Sequence, residues 1–144
     1  MTFDPENRIV QLCAHGMALE GKGDKKGASQ LFLQAWLRSA TDFEKFTAAH
    51  YAARHQPTIE DKLEWDKLAL EFALKINDDA TKGYFPSLYL NIGKCYEDLQ
   101  QFESARQQYK LALSFLSSLP EDGYGKMIRS GVYKAIERVA VVKD

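Results

Sequence analysis

Cysteine is scarce: Cys13 and Cys95 are the only two, and neither sits in a CxxC pair. Two lone thiols fit a reducing cytosol better than a disulfide scaffold. Charge of one sign is also lacking. The formal net charge is −1 over 144 residues, so no overall field draws the chain to nucleic acid or to an anionic membrane. No apolar run approaches the ~20 residues that span a bilayer. The start, MTFDPENRIV, lacks the basic segment and apolar core of a secretory signal. The expectation is a cytoplasmic protein with neither a membrane nor a nucleic-acid partner. Prolines number four, and few of them interrupt what could be long helices.

What is present is ordinary for a soluble domain: 45% hydrophobic and 27% charged residues. The length suits one domain, 1–144, able to bury roughly two-thirds of its unfolded surface. Apolar residues recur at helical spacing and no stretch alternates as a strand does. The pattern predicts an all-α protein of seven helices, at about 5–21, 24–40, 42–55, 59–77, 84–99, 101–118 and 123–142. Pro5, Pro57 and Pro86 suit helix first turns. Asp4, Asp24, Asp42, Thr58 and Ser87 are the expected capping or first-turn residues. The short interruptions predict antiparallel hairpins. Residues 60–79 hold seven acids and three lysines, and residues 126–144 hold five bases and two acids; both read as solvated helix faces.

Within the helices lies a repeat. Tyr89 to Pro120 reads YLNIGKCYEDLQQFESARQQYKLALSFLSSLP. Gly93, Ala105 and Ala112 are small where two helices would touch, while Tyr89, Ile92, Tyr96, Tyr109 and Leu113 fill the spaces between. This resembles the tetratricopeptide (TPR) repeat, with Pro120 a few residues late. Leu12, Gly16, Leu19, Gly23, Ala28, Phe32 and Ala35 fall on the same template. A degenerate middle copy with Phe46, Ala49, Leu70, Ala73 and Leu74 fits if about four residues are inserted around Gln56–Thr58. The chain is also similar to short stand-alone bacterial TPR proteins. The resemblance implies a right-handed superhelical stack of helical hairpins: repeats at about 9–40, 43–78 and 86–120, and a capping helix at 123–142.

In that family the first helix of each pair lines the ligand-binding surface. The usual offsets then nominate Val10, Cys13, Met17 and Glu20 from repeat one. They add Glu44, Thr47, Tyr51, Arg54 and His55 from the middle repeat, and Ser87, Leu90, Asn91, Lys94 and Glu97 from the third. Tyr84 is a further candidate at the groove mouth. The sharpest set is Tyr51, Arg54, His55, Asn91, Lys94, Tyr84, Ser87 and Met17. Val10, Cys13 and Met17 stand where the carboxylate clamp of some TPR proteins needs a lysine and an asparagine, so that clamp is not expected.

Residues 49–57, AHYAARHQP, invite a metal or catalytic reading that the spacing rejects. Histidines five apart on a helix diverge by about 140° and cannot share an ion; helical zinc sites use spacings of three or four. Tyr51, Arg54 and His55 instead share one face, with His50 nearer the packed side. Glu44, Glu64 and Asp66 are the expected ion-pair partners for Arg54. Trp36 and Trp65 read as core residues, and GKGDKKG at 21–27 as a helix–helix turn. No catalytic constellation, cofactor motif or metal site is evident. The reading is therefore a non-catalytic module for a peptide or protein partner, with self-association a further possibility. The alternative is a sensor of a small anionic ligand held by Arg54 and Lys94, its groove closed by the last helix.

Overall fold

The structure, a computed structural model, describes residues 4–144. It is all-α, with no strand among the described residues, and it divides into two compact units, Met1–Ile76 and Asn77–Asp144. In the first unit α1 (Arg8–Gly21) pairs with α2 (Lys25–Arg38), and α3 (Asp42–Ala52) pairs with α4 (Ile59–Leu74). In the second, the single turn α5 (Asp79–Lys82) precedes the hairpin α6 (Phe85–Asp98) and α7 (Phe102–Ser114), and α8 (Gly123–Val139) packs on both.

Several helix starts differ from the sequence reading, for a common reason: the side chain that reaches an orphan N–H decides the cap. Helix α1 begins after Asn7, whose side chain accepts from the amides of Ile9 and Val10; Asp4 instead accepts from Glu6 N, and Pro5 lies outside the helix. Thr41, not Asp42, caps α3 in a reciprocal box with Glu44. Thr58 caps α4, which leaves Pro57 ahead of the cap. Asp24 caps α2 and Pro86 falls in the first turn of α6, both as expected. The predicted helix 42–55 tightens to a 3-10 turn over Ala53–His55, and 101–118 does so over Leu116–Ser118.

The hairpins α1–α2 and α6–α7 are built on one plan. A Cβ placed on Gly16 would lie 2.3 Å from Phe32 Cε1, and one placed on Gly93 would lie 2.4 Å from Tyr109 Cε1. Each ring therefore rests on the bare backbone of the preceding helix. Ala28 and Ala35 beside Phe32, and Ala105 and Ala112 beside Tyr109, are fully buried, so small residues bring each pair of helices close. The turns repeat too. Gly23 N bonds Glu20 O and Asp24 N bonds Leu19 O; Gln100 N bonds Glu97 O and Gln101 N bonds Tyr96 O. Both turns need a left-handed residue. Gly23 supplies it at φ 84°, whereas Gln100 adopts φ 61° with a Cβ. Gln100→Gly is expected to raise stability by about 1 kcal/mol, read as a higher urea midpoint; an unchanged or lower midpoint would refute the strain.

The first core gathers Ile9, Cys13, Ala28, Phe32, Ala35, Ala48 and Ala52, with Trp36, Tyr51 and Trp65 packed against it. Trp36 meets Trp65 edge-on at 5.2 Å; both tryptophans are packing residues. In the second unit Phe85 and Tyr89 both pack on Phe115, the latter stacked at 5.9 Å.

Candidate binding face

Helices α1 and α3 of the first unit pack against each other, and the space between them holds a cleft of about 220 Å³. Its walls are Val10, Cys13, Ala14 and Met17 from α1 and Thr47 and Tyr51 from α3, with no charged side chain among them. Helical spacing explains the set: α1 contributes an i, i+3, i+4, i+7 stripe and α3 an i, i+4 pair. Met17 is 42% exposed at the rim. Cys13 is buried, and burial pushes its thiol up to about 12, so it is a wall residue and not a nucleophile.

Beyond Tyr51 the 3-10 turn that follows α3 carries Arg54 and His55. Both converge on one oxygen, Glu20 Oε2 of α1: Arg54 Nε at 3.0 Å and His55 Nε2 at 2.5 Å. The imidazole of His55 also stacks on Phe32, and the Arg54 guanidinium carbon lies 5.7 Å from the Tyr51 ring centre. Glu20 is thus the partner of Arg54, in place of Glu44, Glu64 or Asp66. The reason is that each of those acids is engaged. Glu44 accepts from Asn7 and from the amides of Ala40 and Thr41, Asp66 takes Lys62, and Glu64 meets Lys67. The amide hydrogen bond from Ala40 is the main cause holding Glu44 below the usual carboxylate range.

His50 packs between aromatic rings, edge-on to Tyr51 at 5.2 Å and tilted on Phe46. Its Nδ1 is buried without a partner. Burial lowers its pKa from the ordinary 6.5; Asp66 opposes that, and Arg54 and Lys62 reinforce it. The sign follows directly. A histidine kept neutral by the fold contributes stability above the unfolded value of 6.5, and that contribution is lost as pH falls through the folded value. Thermal melts between pH 7 and 5 should show a falling midpoint, flattened in His50→Phe; equal slopes for the two proteins would contradict this.

The remaining candidates lie in the second unit. Ser87, Asn91 and Lys94 share one stripe of α6, each at least partly exposed. Lys94 is spent on Asp98 at 2.5 Å, and Ser87 lies beside the Tyr124 hydroxyl of α8. Tyr84 precedes α6 and is partly buried; burial raises its pKa, with Tyr124 and Asp78 adding to the effect. Leu90, which holds the place in α6 that Cys13 holds in α1, packs onto α8, its Cδ2 3.2 Å from where a Cβ on Gly131 would be. Glu97, the counterpart of Glu20, accepts from Tyr109 Oη at 2.7 Å and from Arg138 at 3.0 and 3.1 Å. Burial alone would raise the Glu97 pKa; the bonds from Arg138 and Tyr109 outweigh it and lower it.

The structure therefore brings Met17, Tyr51, Arg54 and His55 together in the first unit, and Tyr84, Ser87, Asn91 and Lys94 along α6 of the second. The sequence gives no sign of Ala14, because an alanine carries no chemical signal, and the two-to-one sharing of Glu20 has none either. Among the described residues no three His, Cys, Asp or Glu side chains gather as metal ligands would, and no helix is long and apolar enough to cross a membrane.

Residues 86–115, which span all but the first residue of α6 and the whole of α7, match the tetratricopeptide repeat family. No curated protein and no solved structure matches the chain.

Proposed function

The chain contains a tetratricopeptide repeat, and from that premise we propose that it is a non-catalytic binding module that engages a segment of a partner protein on the α1–α3 face of its first unit. Repeats of this family are generally interaction scaffolds. The observation that carries the choice of face is the cleft between α1 and α3, whose neutral apolar walls end at the exposed side chains of Met17 and Arg54. Such a patch with a polar rim is the usual anatomy of a recognition site. The α6 stripe of Ser87, Asn91 and Lys94 is the second face considered. The anionic-ligand sensor is less well supported, since the walls of the cleft carry no charged side chain.

A random-peptide display selection on the full chain tests the proposal. Met17→Asp places a charge at the cleft rim on an exposed position, and it should weaken selected peptides at least tenfold at unchanged melting temperature. Asn91→Ala should leave them unaffected. The opposite pattern would move the site to α6.

A further inference from the structure

The two hairpins differ at one position that bears on the cleft. Where α6 has Leu90, α1 has Cys13. In the second unit the leucine fills the space beside the third helix, packing onto α8 at Gly131 and against the cluster of Ala105, Tyr109, Ala135 and Val139. In the first unit the shorter cysteine leaves the corresponding place between α1 and α3 unfilled, as the cleft of about 220 Å³. The chain thus displays what fits such a space: a branched aliphatic side chain.

The mouth of the cleft sets the charge of what comes next to that side chain. Arg54 meets Glu20 through Nε, and His55 takes the same carboxylate oxygen, so the two outer nitrogens of the guanidinium fork are left for a further carboxylate. Arg54 remains 47% exposed, with its guanidinium over the face of Tyr51, a wall of the cleft. An exposed guanidinium presents several fixed donors and suits a carboxylate.

We propose that the cleft receives one aliphatic side chain of the partner, leucine-like in shape, and that an acidic residue beside it in the partner's sequence is held by Arg54. The partner is a protein segment of acidic and aliphatic character. This rests on the α1–α3 reading above and supplies its specificity. Cys13 acts as an absence, the missing side chain that the partner replaces; Arg54 selects the flank.

The test uses peptides from the display selection, labelled for fluorescence polarisation. Their consensus should carry a leucine, isoleucine or methionine with an aspartate or glutamate beside it. Cys13→Leu fills the space from within, as Leu90 does, and Ala14→Leu covers it from an exposed helix position that tolerates the change. Each should weaken binding more than tenfold. Arg54→Gln should weaken it about fivefold, with most of that difference lost at high salt. A consensus without an aliphatic residue would overturn the proposal, as would wild-type affinity for both Cys13→Leu and Ala14→Leu. If Met17→Asp abolishes binding while those two bind normally, the face stands and the aliphatic anchor falls. If Met17→Asp also binds normally, or no peptide is selected, both fall.

Discussion

Gly93→Ala should destabilise the protein by up to about 2 kcal/mol, although alanine is the better helix former. Propensity alone favours alanine by about 1 kcal/mol in a helix interior. Against that stands geometry. The new methyl would sit 2.4 Å from Tyr109 Cε1 and 2.7 Å from Cδ1, inside any tolerable contact. Tyr109 is fully buried and its hydroxyl is tied to Glu97, so the ring has little room to withdraw. Overpacking of this kind costs about 1–3 kcal/mol before the propensity gain is subtracted. Gly16→Ala should behave alike against Phe32, whose Cε1 would lie 2.3 Å from the methyl. Coupling distinguishes this account from a general weakening of the helix. In a double-mutant cycle with Tyr109→Leu, which removes the clashing edge, Gly93→Ala should become neutral or stabilising. If Gly93→Ala alone raises the urea midpoint, the close approach of α6 and α7 is wrong.

A second large effect is expected at Glu97. Its side chain is 15% exposed, and it serves two donors on two other helices, Tyr109 of α7 and Arg138 of α8. Glu97→Ala strands the hydroxyl of a ring with no exposure, which costs about 1–3 kcal/mol. It also releases Arg138, which at 45% exposed rehydrates readily, so that loss is discounted for screening to below about 1 kcal/mol. The total is about 1–4 kcal/mol by denaturant titration. Glu97→Gln keeps an acceptor for Tyr109 and should cost about 1 kcal/mol. The first unit supplies a control, because Phe32 has no hydroxyl. Glu20→Ala frees only the half-exposed Arg54 and the partly buried His55 and should cost less than Glu97→Ala. The lowered pKa of Glu97 gives the same network an acid signature: its contribution is intact above the unfolded carboxylate value of 4.5 and is lost as pH falls through the folded value. Glu97→Gln should reduce the acid sensitivity of the second unit.

How much of this the sequence discloses depends on whether a residue's role is local. Helical periodicity and the glycine–aromatic spacing are local, so α6, α7 and the twin α1–α2 hairpin are legible, and so is the face shared by Tyr51, Arg54 and His55. Asp24 and Thr58 are legible as caps for the same reason. The start of α1 is not, because Asn7 and Asp4 are both plausible caps and only the reach of each side chain separates them. Glu20 was visible as a face residue but not as the partner of Arg54, because the pair joins α1 to the end of α3 and depends on the packing of helices in between. Nor was the one-turn helix α5 apparent: four residues capped by Asp78 carry too short a pattern to register. The cleft itself was the least legible feature, since it arises from what Cys13 lacks compared with Leu90.

The most direct test of the α1–α3 face is amide chemical-shift mapping of the full chain during titration with a display-selected peptide. Shifts concentrated at Val10, Cys13, Ala14, Met17, Thr47 and Tyr51, with Arg54 at their edge, are the predicted result. Shifts confined to α6 and α8, or to the outward residues of α2 and α4, would contradict it.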